Sequence, residues 1–101
     1  MRGEYRMMDW ERIKLKYMLN NFISQLKTGI EKEIDLTKID VCPANIITVL
    51  EEELGFEELD FDVNGWQNDT WYSFEHPETK EKITLFYSGY LFELKLMLPE
   101  D

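Results

Sequence analysis

Apolar positions fall at helical spacing over the first part of the chain and at every second position over the last part, with the change at Gly55. Trp10, Ile13 and Tyr17 follow one helical row, and Leu15, Met18 or Leu19, Phe22 and Leu26 follow another. These rows predict a first helix over about 9–28. Asp9 is placed as its N-cap, Glu11 in the first turn, Lys27 at its end and Gly29 as the residue that closes it. Pro43 opens a second helix at the position where its missing N–H costs nothing. Ile46, Ile47, Leu50 and Leu54 form its buried stripe, Glu51, Glu52 and Glu53 its exposed side, and Gly55 its stop. The intervening residues 30–42 carry Ile34, Leu36, Ile39 and Val41, enough to pin them to an apolar surface as a short strand or a 3₁₀ turn.

Beyond Gly55, Leu59, Phe61 and Val63 alternate with Glu58, Asp60 and Asp62, the pattern of a half-buried strand. Asn64-Gly65 marks a turn, and Thr70–Phe74 is an aromatic-rich second strand. The polar loop His76–Lys80 leads to a third strand at Ile83–Tyr87. After the Ser88-Gly89 turn comes a fourth at Tyr90–Leu98, stopped by Pro99. The predicted architecture is α+β: two helices packed on one face of a four-stranded antiparallel meander formed from 58–98. Residues 1–101 read as one domain, with 1–8 a loose extension ahead of the first helix.

Composition changes this picture in one respect. The chain of 101 residues has a formal charge of −10, and that charge is concentrated. Residues 39–79 hold eleven acidic side chains and no Lys or Arg, whereas residues 1–38 are slightly basic. Binding to a nucleic-acid backbone requires cations that displace counterions, and an anionic lipid surface makes the same demand. Direct contact with nucleic acid or membrane is therefore not expected. A single cysteine, Cys42, excludes an internal disulfide and a Cys-based zinc cluster. There is no apolar run of membrane-spanning length and no signal-peptide core at the start, so the expected compartment is the cytoplasm.

No pattern of nucleotide, hydrolase or metal chemistry occurs, so no catalytic residue, cofactor or metal is assigned. His76, the only histidine, lies in a proline-containing loop with no nucleophile placed beside it, and reads as a solvated loop residue. Cys42 precedes a helix but has no identifiable base and reads as a small hydrophobe. The carboxylates lack the spacing and turn glycine of a calcium loop. Glu58, Asp60 and Asp62 fall on one line of a strand face, with Asp60 and Asp62 about 7 Å apart. A row of like charges is tolerated when it is solvated or meets a basic partner. The aromatics that do not face the helices, Trp71 and Phe86 among them, need a cover: either the 64–69 loop with Trp66 or another protein.

The run Asp62-Val63-Asn64-Gly65-Trp66-Gln67-Asn68-Asp69-Thr70-Trp71, followed by Phe74 and by Tyr87-Ser88-Gly89-Tyr90, resembles a pattern in small uncharacterised proteins of bacterial phages and mobile elements. It covers under a third of the chain, and the charged 75–82 loop and apolar last strand depart from it. The resemblance implies an inhibitor of host defence, of the anti-CRISPR kind, or of a host nucleic-acid enzyme. The expectation is a non-enzymatic binding protein that engages a basic protein surface. Glu57, Glu58, Asp60, Asp62 and Asp69 are its charged contacts, and Trp66 and Trp71 its aromatic anchors. An immunity protein against a basic toxin and a homodimeric interaction domain are the alternatives.

Overall fold

The first helix, α1 (Asp9–Lys27), buries Leu15, Leu19, Ile23 and Leu26 and is closed by Gly29 at φ +80°. A computed structural model describes residues 7–39, 41–64, 68–89, 91 and 93–99. The N-cap is Met8 rather than Asp9, which is the first helical residue. The Glu11 carboxylate reaches back and accepts the Met8 N–H at 2.8 Å, so the negative group at the positive helix end comes from the third position.

The second helix, α2 (Pro43–Glu52), ends two residues before its predicted limit. Gly55 at φ +81° turns the chain, and the Phe56 N–H donates to the Leu50 carbonyl at 2.9 Å. An added Cβ at Gly55 would lie 3.2 Å from His76 Nε2, so both the backbone angle and the space reserve this position for glycine.

The sheet has five strands rather than four: β1 (Glu33–Asp35), β2 (Glu57–Asn64), β3 (Asp69–Glu75), β4 (Lys82–Ser88) and β5 (Glu93–Met97). Their order is β1-β5-β4-β3-β2, all antiparallel, so the four later strands form a meander and β1 adds to its far side. The additional strand is three residues long with one buried side chain, Ile34, too short to display a period of its own. Directly opposed residues share a face. Ile34 and Leu96, Leu85 and Tyr72, and Phe74 and Ile83 therefore line the side that meets the helices. With Leu19, Leu26, Leu36, Ile46, Val49 and Leu50 they make the core.

Ion pairs tie the layers together. Arg12 of α1 bridges Glu52, the last residue of α2, and Glu53 just beyond it at 2.7 and 3.1 Å. Lys27 at the end of α1 pairs with Glu81 in the β3–β4 connection. Hydrogen bonding from Lys27, aided by Thr79, holds the Glu81 carboxyl below its ordinary value, against the opposing effect of burial. A depressed carboxyl pKa stabilises the fold above the unfolded-state pKa, and that stabilisation is lost as pH falls through the folded-state value. Glu81→Gln is therefore expected to lower the melting temperature near pH 7 and to leave it almost unchanged near pH 3. An equal effect at both values would show that the ion pair carries none of it.

Candidate functional site

The first three residues of β2 and the five that follow do not form one straight ladder. Glu57 and Glu58 lie opposite Glu75 and Phe74, and then the register slips so that Asp60, Asp62 and Asn64 face Ser73, Trp71 and Asp69. Leu59 is the extra residue of this β-bulge. The row of three acids expected on one face is accordingly broken. Glu58 shares the helix side with Phe74, while Asp60 and Asp62 share the opposite side with Trp71. Separating Glu58 from the two aspartates relieves like-charge repulsion across neighbouring positions. Glu58 still acts on Glu51 of α2, whose carboxyl is held above its ordinary value by burial first and by Glu58 and Glu52 next.

β2 is the last strand of the sheet, and every side chain from Glu57 to Val63 is exposed. Leu59, Phe61 and Val63, the predicted inward row, are 55, 56 and 53% exposed. Their alternation is that of a strand on a two-sided sheet, but the helices extend over β1, β5 and the start of β2 and leave its far end uncovered. Phe61 leans on Tyr72 of β3, ring centres 6.2 Å apart, and is otherwise largely exposed among the described residues. On the opposite face Trp71 packs on Phe86 of β4 at 5.2 Å. A single row of opposed residues, Asp62, Trp71, Phe86, Lys95 and Asp35, crosses all five strands. Lys95 is paired with Glu33 at 3.1 Å and Glu93 at 3.5 Å, so the basic end of this row is neutralised within the fold. Among the described residues, Asp60 and Asp62 have no ion-pair partner.

The structure thus brings together Glu57, Asp60, Asp62 and Trp71 on one face and places Glu58 on the other. Asp69 does not join the surface. It is 4% exposed at the start of β3, and one of its carboxylate oxygens meets no hydrogen-bond donor among the described residues. Trp66 lies outside the described residues. No protein-family model, curated protein or solved structure matches the chain.

Among the described residues, no three His, Cys, Asp or Glu side chains converge as metal ligands, and no helix is long and apolar enough to cross a membrane. Two grooves flank the segment 36–43. One, of about 870 Å³, is walled by Trp10, Leu15, Met18, Val41 and Cys42, and the other, of about 480 Å³, by Leu36, Ile39, Pro43, Tyr87 and Leu94. His76 lines neither. Its ring is half-buried and engaged by its own loop rather than free in solvent. Nδ1 accepts the N–H groups of Glu78 and Thr79 at 3.2 and 3.3 Å, and the ring meets Phe56 edge-on at 5.4 Å. His76→Ala is expected to cost about 1 kcal/mol of stability through the lost acceptor. Both His76→Ala and Cys42→Ser are expected to keep partner binding within about twofold. A hundredfold loss in a folded variant would give either residue a chemical role.

Sequence reasoning missed one further surface. Trp10, Ile13 and Tyr17 of α1 are 62, 55 and 68% exposed, on the side of the helix away from its buried row. Both rows are visible in the sequence, but only one can face the sheet.

Proposed function

We propose that this protein is a small non-enzymatic binding protein whose outer sheet face, along β2, docks on a basic surface of another protein and obstructs it. The observation that carries the reading is the exposed edge strand, on which Asp60 and Asp62, without an ion-pair partner among the described residues, stand beside Trp71. Carboxylates not neutralised by a cation bring negative potential to a contact, which steers association and selects basic partners. Trp71 supplies a large apolar area next to them, of the type that dominates interface energetics. A nucleic-acid channel is the basic surface best matched by spaced carboxylates, which there take the place of phosphates. Inhibition of a defence or nucleic-acid enzyme follows from such occupancy, as the phage-protein resemblance implies. The test is to reverse Asp60 and Asp62 to Lys and to measure association at low and at raised salt. An affinity indifferent to both changes overturns the reading.

A further inference from the structure

Among the described residues the sheet ends at β2 with one backbone edge unpaired, and we propose that this edge takes up one added strand: an extended segment of another protein in which Lys or Arg alternates with apolar residues. This inference rests on the docking reading above and specifies how the partner is held.

Backbone direction is given by one hydrogen bond. The Phe61 N–H donates to the carboxylate of its own neighbour, Asp60, at 2.8 Å. That N–H therefore points away from β3, and the two-residue repeat of a strand turns Val63 outward as well. An exposed edge of this length is a ready template for another strand. An antiparallel addition, continuing the pattern of every pair in this sheet, sets partner residues directly opposite those of β2 and on the same faces. Residues opposite Phe61 and Val63 arrive on the uncovered apolar side, next to Tyr72. Residues opposite Asp60 and Asp62 arrive on the side where these two carboxylates have no ion-pair partner among the described residues. The edge thus reads apolar on one side and basic on the other.

A second copy of this chain does not fit. A two-fold axis relating two antiparallel β2 strands stands perpendicular to the sheet and keeps each side chain on its own face. Even-numbered positions beyond the bulge then oppose only even-numbered positions. Asp60 and Asp62 would stand opposite Asp60, Asp62 or position 64 of the second copy, and none of these is a basic residue, so no close register sets a cation against either carboxylate. The bond from Phe61 to Asp60 adds to this guard, because it occupies an edge donor in the free protein. A basic strand undoes both. Its carbonyl takes the Phe61 N–H, and the released Asp60 carboxylate receives its Lys.

The probe is a nine-residue peptide in which valine alternates with lysine, titrated into the full chain by calorimetry. A second peptide carries N-methyl groups on the valines, the residues whose N–H groups would face β2, and keeps its charge. The wild-type chain is expected to bind the first peptide one to one and the second at least tenfold more weakly. Val63→Pro, which removes an outward N–H at an edge position that tolerates proline, is expected to weaken the first peptide at least tenfold with an unchanged circular dichroism spectrum. No binding of the first peptide, or equal binding of both peptides, overturns strand addition; the methylated peptide decides the matter should Val63→Pro fail to fold. Sedimentation showing a wild-type dimer that Val63→Pro abolishes overturns the choice of partner. Reversal of Asp60 and Asp62 separates the two readings. If it and salt abolish binding while methylation and proline do not, acidic docking stands and the added strand falls. If none of the four changes matters, both fall.

Discussion

Replacing Phe74 by Ala is expected to lower the unfolding free energy by about 3–5 kcal/mol. Phe74 is fully buried near the end of β3, opposite Ile83 on β4 and Glu58 on β2, and is the largest of the fully buried side chains. Removing its ring leaves a cavity at the seam between sheet and helices, where Ile46, Val49 and Leu50 of α2 are also fully buried and cannot all shift to fill it. A domain of this size has only about 5–15 kcal/mol in total, so the variant sits near the limit of folding. Chemical denaturation followed by circular dichroism gives the value. Phe61→Ser, thirteen positions earlier at the exposed edge, is the contrast and should cost less than about 1 kcal/mol. A Phe74→Ala loss below that of Phe61→Ser would mean that the sheet is not assembled with β3 inside it and β2 at its edge.

The same two phenylalanines show what the sequence could convey. Phe61 and Phe74 both sit in runs with strand character, and both were placed in strands correctly. Periodicity reports that a side chain alternates between faces, but it does not report whether a face is covered. Coverage depends on which strand lies at the edge and how far the helices reach, and those are long-range facts. The helix limits were legible because Pro43, Gly29 and Gly55 act locally, through a missing N–H and positive φ values. β1 is legible only as one of two alternatives, a short strand or a 3₁₀ turn within 30–42, since three residues contribute a single apolar side chain and its pairing with β5 is a long-range fact. The bulge at Leu59 was hidden. It needs no glycine or proline, and it moves Glu58 to the face opposite Asp60 and Asp62. Of the candidate site, Asp60, Asp62 and Trp71 of the outer face are readable from alternation, whereas the arrival of Glu57 on that face through the bulge and the burial of Asp69 are not. That burial follows from the close of the sheet around Ser88, which is itself fully buried and opposite Asp69.

Reversing Asp60 and Asp62 to Lys together is expected to weaken association with a basic partner at least a hundredfold while the fold is retained. Both side chains are exposed and neither belongs to an ion pair among the described residues, so little stability is at stake. The largest internal loss is the Asp60 acceptor for the Phe61 N–H, and at an exposed edge water replaces it. Relief of the repulsion between the two carboxylates acts in the opposite direction. In a complex the balance is different, because each reversal removes an attraction and installs a repulsion against desolvated Lys or Arg, worth about 2–5 kcal/mol per close buried pair. Even the lower bound for one pair is about thirtyfold, and two adjacent pairs exceed a hundredfold without full additivity. Salt should act mostly on the wild type and on its association rate. Between low and physiological ionic strength the screening length contracts to about 8 Å, and the steering contributed by the residue 39–79 acids is cut off beyond it. The measurement is association and dissociation rates for both chains against the alternating valine–lysine peptide and against proteins captured from lysate of cells that carry the gene. A wild-type rate that does not respond to salt, together with a reversed chain of undiminished affinity, would assign the acids to solubility. The contact surface would then be sought on the exposed Trp10, Ile13 and Tyr17 row of α1.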